Sequence, residues 1–477
     1  MKREEAATRS LTWEYKMDCA QLMDKVAAAS YRIITTLLQE GGPLSLGELQ
    51  ARTGLSRKTF LKYLEELNEL LDRESLGAHL SLEGDLLRLQ AGRDFRLPAV
   101  TGILLRRSLR FRILEAVWSQ QVFSIQTLAA RFQISEATLN RQLLGLNQLL
   151  EEFGLAIQNG RLRGSEVQVR YLAFELLRGM TQAEDFARIQ QQADYQQFQA
   201  VVESVIQKDP GLDLAIWWSL SQLRQRFQQK LSAELRLYQE HPTFQQLTSR
   251  LASLDWDSSE LSLLFAFLLG QGLLSSREME KFLAFGGPIQ DKVTELLQAL
   301  KELGVSPQGP GPVLDDLGRL ASQVYFFEGG LVPWEVEGAL RSYTRLYPQS
   351  WITVDVSRSL ALRLVDDGDS RLLAFEWDFV QILDYLGDLK QPIKRLAVDS
   401  YRSPLVLARM VRTLKQYLQH NRLIEVETYQ AGMEYSLVVT DAAWRTYPTQ
   451  PLYVLQGDLL GYDLEVIREL LQTDRIL

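Results

Sequence analysis

Two clusters of hydrogen-bonding and cationic side chains stand at matching places in the chain, 79 positions apart. The first comprises Ser56, Arg57, Lys58, Thr59, Lys62 and Tyr63, and the second comprises Ser135, Thr138, Asn140, Arg141 and Gln142. Arginine and lysine donate to guanine edges and phosphates, and asparagine and glutamine pair with adenine edges. Both clusters therefore suit contact with a nucleic-acid duplex. The second contains Glu136 and fewer cations, so we expect the first to dominate affinity.

Side chains for metal, thiol or nucleophilic chemistry are scarce. Cys19 is the sole cysteine, which excludes an internal disulfide framework and fits a reducing cytoplasm. His79, His241 and His420 are far apart in sequence and offer almost no ligands for a metal site. The chain also lacks GxSxG, HExxH and a glycine-rich phosphate loop with lysine. We predict a protein that is not an enzyme and that uses no metal and no cofactor.

The polar clusters lie inside a duplicated segment, because residues 43–71 return as residues 123–150. In each copy a serine opens a short amphipathic helix, a three-residue turn follows, and Ser56 or Ser135 caps a longer helix. In the first copy the apolar residues of the longer helix recur at i, i+4, i+7 and i+11, namely at Phe60, Leu64, Leu67 and Leu71. This spacing places the cations and Tyr63 off the buried stripe.

Each copy is followed by two short apolar strands, AHLSLEGDLLRLQ and LAIQNGRLRG, whose turn residues predict a β-hairpin. A helix-turn-helix with a hairpin is a winged helix, and the sequence predicts two in tandem. We expect Arg88 on the first hairpin, and Arg161 and Arg163 on the second, to hold phosphates. The alternative is a pair of helical hairpins that pack and contact no nucleic acid.

A helix predicted over residues 104–121 would open the second copy, and it is unusually basic through Arg106, Arg107, Arg110 and Arg112. Two interpretations remain open for these arginines, a solvated charged face or phosphate contact.

The net charge of −8 is unevenly distributed along the chain. The first 170 residues carry 23 Lys+Arg against 20 Asp+Glu, and the remainder carries 29 against 40. A duplex would therefore favour the N-terminal third. No apolar run of about 18 residues and no secretion signal are present, so we predict a cytoplasmic protein without a membrane span.

The rest of the chain predicts three further domains. A capping box at Ser165-Glu166-Val167-Gln168 starts a long helical region, which Gly286-Gly287-Pro288 divides into two bundles. After Pro392 strands and helices alternate, which is typical of a small α/β domain with a mainly parallel sheet. The predicted fold is multi-domain and mainly α, with boundaries at 1–92 (an N-terminal arm and the first winged helix), 93–165, 166–286, 287–390 and 391–477.

This order of modules resembles the Mga/AtxA family of bacterial transcriptional regulators. The most specific residues are the duplicated S-x-x-T-x-x-x-x-L-x-x-L-N-x-L-L signature and the segment NGRLRGSEVQVRYLAFELL. The resemblance implies PRD-like bundles, named after phosphotransferase-system (PTS) regulation domains, and a last domain like the EIIB sugar-transport carrier. It further implies a DNA-binding activator that forms a homodimer or higher homo-oligomer. Its partners would be double-stranded DNA and either RNA polymerase or a PTS phosphocarrier.

Two departures from the family pattern limit what the resemblance implies. An EIIB carrier needs a cysteine after its first strand, where this chain has Asp399, so oligomerisation or docking is the better expectation for this domain. The predicted bundles contain one histidine, His241, as a candidate for phosphorylation, and an ordinary capping histidine is the alternative. A switch that needs two histidines in the bundles is excluded.

Other functions stay open at this stage. A PTS-linked sugar-operon regulator would be controlled by histidine phosphorylation. A related antiterminator would bind RNA and is expected to begin with a β-rich module, whereas this N-terminus is predicted to be helical. A scaffold that uses winged domains only for protein contact is the third alternative.

Overall fold

The computed structural model describes residues 17–473 apart from short gaps at 121, 204, 206–210, 226, 228–231, 253–255, 306–310, 332–333, 348–350, 387–393, 419–423, 448–449 and 456–458. Most of the predicted N-terminal arm, His420 and the predicted boundary at 390/391 lie outside the described residues. The chain divides into a larger unit, Met1–Glu302 with Ser306–Arg341 and Val356–Leu386, and a smaller unit, Leu303–Val305 with Ser342–Asp355 and Gly387–Leu477.

The first copy of the repeat folds as the sequence predicts. Its elements are α1 (Lys25–Glu40), β1 (Leu44–Ser45), α2 (Leu46–Thr53), α3 (Arg57–Arg73), β2 (Ala78–Glu83) and β3 (Leu86–Ala91). The strands form an antiparallel sheet in the order β1-β3-β2. The predicted apolar stripe of α3 is confirmed, because Phe60, Leu64, Leu67 and Leu71 are all buried.

The second copy contains α4 (Leu97–Arg107), α5 (Leu109–Trp118), α6 (Ile125–Phe132), α7 (Glu136–Leu150), β4 (Ala156–Gln158) and β5 (Arg161–Arg163). The prediction of one helix over residues 104–121 is wrong, because Ser108 has an extended backbone between α4 and α5. The buried Ser108 hydroxyl donates to the Leu104 carbonyl at 2.8 Å and accepts from the Asp24 N–H at 3.0 Å. A polar group that is fully bonded across the break holds the kink in place.

The two hairpins differ in size and in how they meet the preceding helices. The β4–β5 hairpin turns at Asn159 and Gly160, which both have positive φ (50° and 69°), as the Asn-Gly pair predicts. No strand equivalent to β1 pairs with it in the described residues. Instead, the Phe123 N–H donates one hydrogen bond to the Gly160 carbonyl at 2.8 Å.

The remainder of the larger unit is helical. Its helices begin with α8 (Glu166–Arg178), α9 (Ala183–Gln190), α10 (Ala193–Val202), α11 (Gly211–Arg224), α12 (Ala233–Leu237), α13 (Pro242–Leu251) and α14 (Ser258–Gly270). They continue with α15 (Ser276–Phe285), α16 (Pro288–Glu302), α17 (Pro312–Phe326), α18 (Trp334–Leu346), α19 (Trp351–Ala361) and α20 (Leu372–Leu386), of which α18 and α19 each lie partly in the smaller unit. Gly286 and Gly287 separate α15 from α16 with positive φ at both positions. The prediction of a mainly α protein is confirmed.

A buried ionic network joins the second copy to this helical region. The Arg170 guanidinium binds Glu260 at 2.6 Å and Glu166 at 2.9 Å, and Arg224 binds the same Glu166 at 2.6 Å. Arg224 also donates to the carbonyl of Trp118, the last residue of α5. The predicted capping box at Ser165 is wrong, because Ser165 makes no side-chain cap bond and Glu166 turns inward to the two arginines. Breaking such a pair would leave an uncompensated buried charge.

The smaller unit contains an α/β domain. Its elements are β6 (Lys394–Asp399), α21 (Pro404–Tyr417), β7 (Ile424–Thr428), β8 (Leu437–Thr440), β9 (Leu452–Val454) and α22 (Gly461–Thr473). The strands pair in the order β7-β6-β8-β9, all parallel, as predicted. Leu396 and Val398 of β6 pack in one core with Leu414 of α21 and Ile467 of α22.

Candidate nucleic-acid interface

The first helix-turn-helix is fixed by local hydrogen bonds that the sequence announces. Ser45 and Glu48 form a capping box, with the Glu48 N–H donating to Ser45 Oγ at 3.2 Å and the Ser45 N–H to Glu48 Oε2 at 2.9 Å. Gly54 then turns the chain with φ 67°. The Thr59 N–H donates to Ser56 Oγ at 3.3 Å, so Ser56 caps α3 as predicted.

The second copy repeats this arrangement with different residues at the turn. Thr127 N–H donates to Ser124 Oγ at 3.0 Å, and Thr138 N–H donates to Ser135 Oγ at 3.1 Å. Gln133 takes the left-handed conformation with φ 55°, where the first copy has glycine. Ser56 and Ser135 therefore act first as helix caps, although their side chains remain exposed.

Five of the six residues in the first cluster remain available at the surface. Arg57, Lys58 and Lys62 are exposed on α3, and Thr59 is half-buried beside Ser56. Tyr63 is only 8% exposed, so the expectation that it stands off the buried stripe is wrong. Its position, three residues after Phe60, puts it on the apolar face of α3. We no longer assign it a nucleic-acid contact.

Neighbouring acidic side chains pair with two of the cations on α3. Arg57 Nη1 lies 3.1 Å from Asp85 Oδ1 at the β2–β3 turn, and Lys62 Nζ lies 3.5 Å from Glu66 Oε1. Lys58 makes no ion pair with any described residue. Exposed pairs of this kind are weak and screened by salt, so these cations remain able to exchange partners.

The second cluster is less cationic and partly engaged. Asn140 and Arg141 are exposed on α7, and Thr138 is half-buried beside the capping Ser135. Gln142 is half-buried and accepts a hydrogen bond from Arg110 Nε at 3.3 Å, so its amide is already part of the α5–α7 packing.

A continuous exposed stripe runs along each longer helix at i, i+3, i+4 and i+7. It contains Lys58, Leu61, Lys62 and Glu65 in the first copy and Ala137, Asn140, Arg141 and Leu144 in the second. Leu144 is 68% exposed and lines a cavity of about 370 Å³ beside the second hairpin. Apolar side chains contact thymine methyl groups in major grooves. The sequence analysis missed Leu61 and Leu144, and matching both copies at the fixed offset would have revealed them.

Two asparagines attach each hairpin to its helix. Asn68 Nδ2 donates to the Leu80 carbonyl and Asn68 Oδ1 accepts from the Leu80 N–H, both at 2.8 Å. Asn147 makes the same pair of bonds to Ile157, at 3.1 and 2.6 Å. A lone polar residue repeated inside the apolar L-N-x-L-L run was the signal for this role. The two bonds fix the position of the hairpin relative to the exposed stripe.

The hairpin arginines are exposed as predicted. Arg88 lies on β3 opposite Ser81, and Arg161 and Arg163 lie on β5. None of the three forms an ion pair with a described residue. Their exposure fits phosphate contact, which remains a prediction.

The four arginines near the start of the second copy serve a different purpose. Each contacts a neighbouring element of the larger unit: Arg106 with Asp185 (3.8 Å), Arg107 with Glu74 (2.5 Å), Arg110 with the Gln21 carbonyl (2.6 Å) and Arg112 over the Phe132 ring (5.2 Å). They therefore contribute to packing between helices, which neither of the two earlier interpretations anticipated.

His241 is a buried capping residue. Its side chain is inaccessible to solvent, Nδ1 accepts from the Thr243 N–H at 3.1 Å, and Nε2 lies 3.3 Å from the Lys281 carbonyl. The rings of Phe265 and Phe282 pack against it. Burial lowers its pKa. The alternative of a capping histidine is the one observed, and we no longer assign phosphorylation to His241.

The loop after β6 is occupied by side-chain contacts within the smaller unit. Arg445 and Tyr447 each donate to Asp399 Oδ2 at 2.5 Å. Burial alone would raise the pKa of Asp399, but these hydrogen bonds lower it. Asp441 accepts from Ser400 Oγ at 2.8 Å and from the Tyr401 N–H at 3.1 Å. Two carboxylates thus stand where a phosphate-accepting thiol would be needed, which disfavours carrier chemistry.

Comparison with known proteins identifies the second copy. The model of the Mga helix-turn-helix domain matches residues 93–177, which include α4 to α7, the second hairpin and nearly all of α8. The chain belongs to the Mga/AtxA family of bacterial transcriptional regulators. It is 24% identical over 149 residues to the capsule synthesis positive regulator AcpA of Bacillus anthracis, covering 31% of this chain and 30% of AcpA. It is 24% identical over 157 residues to AcpB of the same organism, covering 32% of each chain.

These alignments span about a third of each relative, so they carry the family and leave the rest of the chain to its own structure. Among the described residues of this Mga/AtxA protein, no helix combines the length and apolar character needed to cross a bilayer. No cluster of three or more potential metal ligands occurs in the same part of the chain.

Proposed function

We propose that the chain is a transcriptional regulator that binds promoter DNA through two tandem winged helix-turn-helix domains. The observation that carries this proposal is the exposed stripe on the second helix of both copies, each beside a hairpin with free arginines. An αα-hairpin built only for packing would not keep the same face of α3 and α7 exposed in duplicate. The match of residues 93–177 to the Mga helix-turn-helix domain supports the same conclusion.

The first copy is expected to supply most of the affinity. Its stripe and helix start present Arg57, Lys58 and Lys62, whereas α7 begins with Glu136 and presents Arg141 as its exposed cation. Neutralising phosphates releases counterions, so cations set both affinity and its salt dependence. In the second copy, the hairpin residues Arg161 and Arg163 would hold phosphates while Asn140 contacts an adenine edge.

The remaining domains would assemble and regulate the protein. We propose PRD-like bundles at 166–286 and 287–390 and an EIIB-like domain at 391–477, which together form a cytoplasmic homodimer or larger homo-oligomer. The acidic balance after residue 170 supports this division, because these domains would avoid the duplex. Both relatives are named positive regulators, which supports activation, with RNA polymerase as the expected partner.

Control by PTS phosphotransfer is the weaker candidate. The burial of His241 and the engagement of both its ring nitrogens leave no accessible acceptor on that residue. The helical first module also differs from the β-rich start expected of an RNA-binding antiterminator.

Substitution of Lys58 tests the proposal directly. Lys58→Ala should weaken binding to duplexes that the protein selects from a random pool, because it removes an exposed cation without an ion pair. The slope of log affinity against log salt should flatten by about one. Gel shifts at several salt concentrations measure both quantities. Lys301→Ala, at an exposed position of α16, is the matched control and should change neither. Equal binding by wild type and Lys58→Ala would remove α3 from the interface.

A further inference from the structure

The β2–β3 turn places a carboxylate against the first residue of α3. Arg57 Nη1 lies 3.1 Å from Asp85 Oδ1, and the two side chains are 61% and 58% exposed. The main chain of Asp85 is held in place, because its carbonyl accepts from the Leu46 N–H at 2.9 Å. The adjacent residue Leu86 pairs with Ser45 of β1. A long, flexible arginine is therefore tethered to an acid on an anchored turn.

The fold does not require this ion pair. In the second copy, Glu136 stands at the position of Arg57 and the turn carries Asn159, so no ion pair is formed there. The capped helix and the hairpin form in that copy all the same. An exposed pair also contributes little to stability. The Arg57–Asp85 contact is therefore better explained by what the guanidinium does than by folding.

A carboxylate at this place has two effects on a bound duplex. It repels phosphates, which lowers affinity for any sequence. It also occupies one edge of the guanidinium and leaves the remaining N–H groups in a defined direction, which suits the bidentate contact of arginine with guanine O6 and N7.

We propose that Asp85 is a positioning residue for Arg57 that sets the ratio of sequence-specific to non-specific duplex affinity. This inference rests on the proposed DNA-binding function and adds a specificity residue to it. Asp85 directs Arg57 towards a guanine edge and away from the phosphates.

Two variants with the same change in charge separate positioning from general electrostatics. Asp85→Asn removes the carboxylate that pairs with Arg57. Glu83→Gln removes an exposed carboxylate two residues earlier, which makes no ion pair with any described residue. Affinities of the full chain for a duplex selected from a random pool and for an unrelated duplex give the specificity ratio. Asp85→Asn should lower this ratio about tenfold, within the range for one bidentate base contact. Glu83→Gln should raise both affinities together and leave the ratio unchanged.

A double-mutant cycle completes the test. If Asp85 acts through Arg57, the ratio for Arg57→Ala/Asp85→Asn should equal that for Arg57→Ala alone. Equal ratios for wild type and Asp85→Asn, matching losses in Asp85→Asn and Glu83→Gln, or additive losses in the double variant would each overturn the inference. In those cases wild type still binds a selected duplex, so the proposed function stands. Failure of wild type to bind any duplex would instead overturn both.

Discussion

Single side chains in this protein have roles that depend on which face of a helix they occupy. Tyr63 and Lys62 are neighbours, yet Tyr63 is buried and Lys62 is exposed. Asn68 lies on the half-buried side of the same helix and uses both its amide atoms on Leu80. Polar residue type alone therefore did not separate residues that contact a partner from residues that hold the hairpin.

His241 predicts a measurable pH dependence of stability. Burial is the main cause that lowers its pKa below the usual value of 6.5, with Lys281 acting in the same direction and Glu278 and the bond to the Lys281 carbonyl opposing it. The unfolded chain then takes up the proton first as pH falls, so stability is lost below about pH 6.5. His241→Asn retains a capping acceptor and should lose less unfolding free energy than wild type between pH 7 and pH 5.5.

Urea denaturation at the two pH values measures this difference. His79→Asn is the control, because His79 is exposed on β2. Equal pH-dependent losses in wild type and His241→Asn would contradict the role given to the buried imidazole.

At the scale of elements, periodicity and capping residues predicted the duplicated helices and both hairpins. Each of these features is encoded by residues close in sequence. The break at Ser108 was not predictable in the same way, because the hydroxyl bonds Asp24, 84 positions earlier. The inward turn of Glu166 likewise depends on Arg224, 58 positions later. Contacts of long sequence separation override local patterns, and one sequence does not display them.

The turns of the two hairpins predict unequal tolerance of a methyl group. Gly84 and Gly160 have nearly equal φ, 65° and 69°, but a Cβ on Gly84 meets nothing within 4 Å whereas one on Gly160 would lie 2.1 Å from the Phe123 carbonyl oxygen. Gly84→Ala should cost about 1–2 kcal/mol, the cost of a left-handed alanine. Gly160→Ala should cost more, because it also forces Phe123 away from the turn.

Thermal unfolding of both variants, with amide exchange of the Phe123 N–H, checks this difference. Faster exchange is expected only in Gly160→Ala. Equal destabilisation by the two substitutions would show that the bond between Phe123 and Gly160 does not hold the second hairpin.

At the scale of the whole chain, charge and structure divide along similar lines. The exposed stripes and hairpin arginines lie within the first 170 residues, which carry 23 Lys+Arg against 20 Asp+Glu. The rest carries 29 against 40 and contains most of the helical region and the α/β domain. A front that attracts a polyanion and a rear that repels it would orient the protein on a duplex before any base is contacted.

Cleavage of DNA from a tethered iron chelate is the most direct test of this orientation. Burial raises the pKa of the Cys19 thiol to about 12, so at neutral pH this sole cysteine stays protonated and labels slowly. A chelate can therefore be attached selectively at Lys58→Cys or, as control, at Lys301→Cys. In complexes with duplexes selected by the protein, we expect cleavage at one short window from position 58 and none from position 301. Bound complexes that are cut from position 301, or that stay intact with the chelate at position 58, would contradict the placement of α3 on DNA.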